Sequence, residues 1–130
     1  MSLKEKQLKE ATQSFVDANN RADIEEVMLF FSDDAIYEDI YDGRHVGKVA
    51  IREALMPFFD HTFGKVEYVG DDIFVDADAE KVMISWRCNV ELEGKPAYLR
   101  GLDLLHFRGN ELVAKLAYAK SSEPRFQERA

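Results

Sequence analysis

The chain has one cysteine, Cys88, in 130 residues, so it can close no disulfide of its own and build no cysteine-based metal site. A reducing cytoplasm is the compartment that fits. Histidine is also scarce. His45, His61 and His106 stand far apart, with no His-x-His or His-Glu-x-x-His spacing, so no metal is expected and each reads as a surface or loop residue. Positive charge is in the minority: 17 basic residues against 25 acidic ones leave a net charge of −8. That balance argues against nucleic acid, where phosphate neutralisation supplies most of the affinity. No apolar run approaches the roughly 20 residues of a membrane-spanning helix, so no membrane partner is expected. The opening MSLKEKQLKEATQSF alternates charged and apolar residues and lacks the continuous apolar stretch of a signal peptide. No GxGxxG or Walker pattern, repeat or interdomain linker is present.

What is there suffices for one core. Hydrophobic residues make up 46%, with nine Phe, five Tyr and one Trp, and the length fits a single domain over 1–130. Leu8, Ala11, Phe15 and Ala18 recur at three- and four-residue steps, which predicts a helix over about 3–19. Asp23 precedes a second helical pattern through Val27, Met28 and Phe31, ending at Ser32, Asp33 and Asp34. Ala35 to Ile40 reads as a brief strand, and Tyr41 to Gly47 as a loop. A third helix runs from Val49 to about His61 with Ile51, Leu55 and Phe58 on one face, shortened or kinked by Pro57.

From Gly64 the period changes to two. Four strand-like runs follow to about residue 120, separated by short turns, and the tail 121–130 is polar. Helices over about 3–61 followed by an antiparallel sheet over about 64–120 predict an α+β fold. In the second run Val82, Ile84, Trp86, Cys88, Val90 and Leu92 form an apolar face and the alternate residues a more polar one. One sheet face is therefore expected under the helices and the other open to water or a partner.

Asp103 does not fit its surroundings. Alternation places it on one face with Ala97, Leu99, Gly101, Leu105 and Phe107, all apolar or small. A carboxylate there is costly to bury without a partner. Either a bulge at Gly101 exposes it, or it hydrogen-bonds to the helix layer, or it sits neutral in a pocket as a functional group. Asp39 lies in the acidic stretch SDDAIYEDIYDG, where most carboxylates are solvated. Two carboxylates in contrasting environments can divide acid and base roles. Cys88, on the apolar face with no basic neighbour in sequence, reads as an inert core thiol.

DIEEVMLFFSDDAIYED, then GRHVGKVAIREAL and EGKPAYLRGLDLLHF, resemble the ketosteroid isomerases within the nuclear transport factor 2-like and SnoaL-like superfamily, over about residues 8 to 120. The resemblance implies a cystatin-like cone: a curved antiparallel or mixed sheet wrapped around three N-terminal helices, enclosing an apolar pocket. It also implies a homodimer through the outer sheet face, no cofactor, and a small apolar ligand, steroid- or polyketide-like. Asp39 matches the family's proton-shuttling base, and Asp103 its neutral, hydrogen-bond-donating acid. The pocket implied is made by Phe15, Tyr37, Leu55, Phe59, Trp86, Cys88, Val90, Leu99, Ala117 and Ala119. Phe15 stands where the family has an oxyanion tyrosine, a loss that typically costs about 100- to 1,000-fold in rate. Ala119 stands where it has a tryptophan, and Tyr37 is a donor from another direction.

Two functions follow. One is a cofactor-free isomerase or cyclase moving a proton next to a carbonyl. The other is a non-catalytic ligand-binding protein, which Phe15 favours. Epoxide-hydrolase-like chemistry needs an Asp-Arg-Asp arrangement that Arg87, Asn89 and Ala117 do not supply, and SnoaL-like aldol cyclisation lacks its aspartate near the last strand, where Leu116, Ala117 and Tyr118 stand. A role in protein interaction through the polar sheet face stays open.

Overall fold

Ser2 starts the first helix. In the computed structural model, which describes residues 1–130, its hydroxyl accepts the Glu5 backbone N–H at 3.1 Å and α1 runs Leu3–Asn20. Leu8, Thr12, Phe15 and Ala18 are its buried stripe. Thr12 belongs inside because its hydroxyl donates to the Leu8 carbonyl at 2.8 Å, whereas Ala11 is only half-buried. Asp23 caps α2, Ile24–Met28, by accepting the Glu26 N–H at 3.2 Å.

Phe31 leaves the helical pattern and begins β1, Phe31–Glu38, earlier than alternation indicated. Its partner explains the change: Phe31 stands opposite Leu112 of the last strand, and tertiary pairing overrides a short helical period. Residues 41–47, read as a loop, contain a three-residue strand, β2 (Arg44–Val46), which folds back on Ile36–Glu38. Gly47, at φ 86°, then turns the chain into α3, Lys48–Leu55. A 3₁₀ turn over Met56–Phe58, with Pro57 near its start, ends the helix well before His61.

The remaining strands are β3 (Glu67–Asp76), β4 (Lys81–Leu92), β5 (Lys95–Arg108) and β6 (Glu111–Lys120). The chain is thus α+β, with one six-stranded sheet in the order β2-β1-β6-β5-β4-β3. The sheet is mixed, because β1 lies parallel to β6 while every other pair is antiparallel. Helices cover one face. Leu8, Phe15, Val27 and Ile51 from the helices and Val82, Ile84, Leu105, Phe107 and Leu112 from the sheet form the buried core. No helix is long and apolar enough to cross a membrane.

Two register features aim the inner face. A shift between His106 and Phe107 inserts a bulge into the β5–β6 pairing, after which Leu105 faces Lys115 and Asp103 faces Ala117. In the parallel pairing, Tyr37 of β1 stands beside that same Lys115. Lys115 therefore points inward with a tyrosine on one side and Asp103 two residues along the other.

Candidate functional site

Between α1, the end of α3 and the inner sheet face lies a cavity of about 560 Å³, counted out to its open mouth. Its enclosed part is narrow, with room for roughly two or three water-sized bodies. Ten of its 14 lining residues are hydrophobic, among them Phe15, Leu55, Ile84 and Leu105. Phe15 is locked in place by edge-on contacts with Phe30 and Phe31, at ring-centre distances of 5.4 and 5.8 Å.

Asp103 is the acidic residue on this wall, 6% exposed. It is neither bulged out to solvent nor bonded to the helix layer. The Lys115 ammonium sits 3.2 Å from its Oδ1, and both side chains are about nine-tenths buried. Lys115 Nζ also lies 4.9 Å from the centre of the Tyr37 ring, a cation–π contact. Burial alone would push the Lys115 amine down, but the Asp103 carboxylate, with Tyr37 close by, more than offsets it, and the net shift is upward. At neutral pH the amine is an ammonium. The expectation of a neutral, donating Asp103 rested on a missing partner, and Lys115 supplies a partner at this distance.

Tyr37 is 3% exposed and its phenol is pushed up by burial, with Lys115 opposing the shift. Trp86, 8% exposed, packs edge-on to Tyr68 at 5.7 Å, and its buried Nε1 has no acceptor. The wall thus carries one ion pair and one buried donor, Trp86 Nε1, with no acceptor in the chain.

Asp39 is elsewhere. It follows β1, off the cavity wall, and its oxygens are occupied: Oδ1 accepts the Tyr41 and Gly43 N–H groups, each at 2.8 Å, and Oδ2 lies 2.7 Å from His45 Nε2. Burial would raise this carboxyl, yet the bonds from His45, Gly43 and Tyr41 outweigh it and hold it low. A Cβ at position 43 would stand 2.6 Å from Asp39 Oδ2 and would displace this carboxylate. This carboxylate ties together the turn between β1 and β2.

Of the expected pocket residues, Phe15, Tyr37, Leu55, Phe59 and Trp86 line the cavity and five others do not. Cys88 is buried beside its strand partner Tyr68, where burial raises the thiol. Val90 and Leu99 lie further along the β4–β5 hairpin, half-buried beyond the cavity's end. Ala117 is buried but too short to reach it. Ala119 is exposed and borders a separate surface depression with Arg100 and Tyr118. Sequence reasoning missed Lys115, although it shares a strand face with Ala117 and Ala119, which were placed inward. No group of three or more His, Cys, Asp or Glu side chains is arranged to hold a metal.

A family model described as SnoaL-like domain matches residues 12–115. Among solved structures, a proposed polyketide cyclase from Xanthomonas campestris pv. campestris superposes with a TM-score of 0.79 at 14% identity, over 88% of this chain and 91% of its own. SalBIII, an epoxide hydrolase/cyclase-like enzyme in pyran ring formation in the polyether salinomycin, gives 0.80 at 14% identity, over 89% and 92%. A protein of unknown function with a cystatin-like fold from Methylobium petroleophilum PM1 gives 0.78 at 17%, over 99% and 86%. At these identities the likeness is one of fold. No curated protein matches the sequence.

Proposed function

The chain belongs to the SnoaL-like domain family, and from that premise we propose that it is a cofactor-free enzyme of the isomerase or cyclase type, moving a proton next to a carbonyl in a small, largely apolar substrate. The observation that carries this is the Asp103 carboxylate, buried on the apolar wall of the cavity with its second oxygen unengaged. Asp103 is the base. The substrate C–H bond breaks, its proton passes to an Asp103 oxygen, and the electron pair moves onto the carbonyl oxygen as an enolate. Returning the proton to a different carbon completes an isomerisation, and attack by the enolate carbon on an electrophile completes a cyclisation. This proposal exchanges the roles the family resemblance implied, because Lys115 pairs with Asp103 and the turn occupies Asp39. The narrow interior favours substrates smaller than a steroid.

Incubating the protein with a panel of small β,γ-unsaturated ketones in deuterated water tests the reading. Wild type is expected to exchange the protons next to the carbonyl and move the double bond, and Asp103→Asn to lose about 100-fold or more of that rate. Phe15, which carries no hydroxyl, favours a second reading of binding without turnover; saturable quenching of Trp86 with no exchange on any ketone selects it. Assembly as a homodimer through the outer sheet face, where Val69, Phe74, Tyr98 and Tyr118 are exposed, is part of the proposal, and sedimentation at twice the chain mass is the expected result.

A further inference from the structure

The donors on the cavity wall say more about its ligand than the apolar lining does. An ammonium has three N–H groups, and Asp103 engages Lys115 through one oxygen at 3.2 Å, longer than the 2.7–2.9 Å typical of a tight charged hydrogen bond. A second direction of Nζ faces the Tyr37 ring. Trp86 Nε1 is buried without an acceptor, and Trp86 lines the same wall. Buried donors left unpaired are costly and seldom persist without a use. The balance of the wall is a fixed cation and one idle donor, opposed by one carboxylate already held by that cation.

We propose that Lys115 selects the ligand, binding a negatively charged oxygen of a small apolar acid, a carboxylate or an enolate, for which Asp103 is the built-in competitor. The inference rests on the cavity being the substrate site proposed above, and deepens it by naming the substrate class. With Asp103 present, the pair is neutral as a whole, so an incoming anion gains from Lys115 and is opposed by Asp103. Preference for an anion over its neutral isostere is therefore moderate, about tenfold. Replacing Asp103 by asparagine keeps the shape and removes the opposing charge, leaving the bound anion as the partner that holds Lys115 as an ammonium, so affinity for the anion rises while the base is lost. Lys115 in this account also receives the enolate oxygen formed when Asp103 takes a proton. Phe15 needs no hydroxyl there.

Hexanoate and hexanamide differ by one charge at nearly constant shape, and Trp86, the single tryptophan, reports binding from the wall itself. At pH 7 wild type is expected to bind hexanoate about tenfold tighter than hexanamide. Asp103→Asn is expected to tighten hexanoate about tenfold further and to leave hexanamide within about twofold. The double variant Asp103→Asn/Lys115→Gln, which leaves no buried charge to destabilise the fold, is expected to show no preference for the carboxylate. Equal binding of the two compounds by wild type, no saturable hexanoate binding, or weaker hexanoate binding in Asp103→Asn with native near-ultraviolet circular dichroism would overturn the proposal. The two readings fail separately. A carboxylate preference without proton exchange on any ketone leaves a binding protein for small acids, and exchange without the preference removes Lys115 as the selector.

Discussion

Lys115→Met strands the Asp103 carboxylate. Both side chains of the pair are about nine-tenths buried, so water replaces little of what the ammonium supplied. Two unit charges at 3.2 Å interact by about 5 kcal/mol at the effective dielectric of about 20 suited to such sites, before the desolvation of both is subtracted. Breaking a buried pair from one side typically costs about 3–5 kcal/mol, because the survivor stays buried and unpaired. Methionine is close to lysine in volume and leaves only a small packing change, so the loss in reversible urea unfolding at pH 7 should fall in that range. The double variant Asp103→Leu/Lys115→Met removes both charges and should return to within about 1 kcal/mol of wild type, giving a coupling of about 2 kcal/mol or more in the double-mutant cycle. A single-variant loss below about 1 kcal/mol, or a double variant that loses the sum of both singles, would refute the claim that the two groups form one buried ion pair.

Asp39→Asn should lower stability by about 1–3 kcal/mol at pH 7 through the turn it ties, with proton exchange largely kept. Its depressed pKa fixes the sign: the contribution is present above the ordinary 3.8 and lost as the pH falls through the lowered pKa, so the urea midpoints of wild type and variant should draw together as the pH falls below 3.8. Gly101→Ala would place a Cβ 2.3 Å from the Tyr118 carbonyl and 2.6 Å from the Trp86 ring, so it should cost about 1–3 kcal/mol and shift the Trp86 emission. Asp34, whose hydrogen bonds from Arg108 and Ser32 hold its carboxyl at about 2, should titrate there by NMR and move towards 3.8 in Arg108→Gln.

The α+β class, α1 and the β4–β5 hairpin were legible because each repeats one period over ten or more residues. Phe31, β2 and the end of α3 were not. Phe31 is committed to strand by a partner 81 positions away, Leu112, and three residues are too few for any periodicity to mark β2. Asp103 announced itself by an apolar face, yet its explanation lay in the next strand, β6, whose lysine was not placed inward. The bulge near Val113 breaks the alternation of β6, so Leu112 and Lys115, three residues apart, both face inward. Counting from Ala117 and Ala119 back towards Lys115 would have found the lysine. Nothing in the sequence shows that Asp39 is spent on a turn, because that follows from where Gly43 and His45 return to meet it.

Proton exchange compared across wild type, Asp103→Asn and Asp39→Asn, on one small β,γ-unsaturated ketone in deuterated water, tests the central claim most directly. The account predicts exchange by wild type, near-loss in Asp103→Asn, and exchange within about tenfold of wild type in Asp39→Asn. Loss in Asp39→Asn with activity kept in Asp103→Asn would contradict it, returning the base to the β1–β2 turn and leaving the buried pair a structural one.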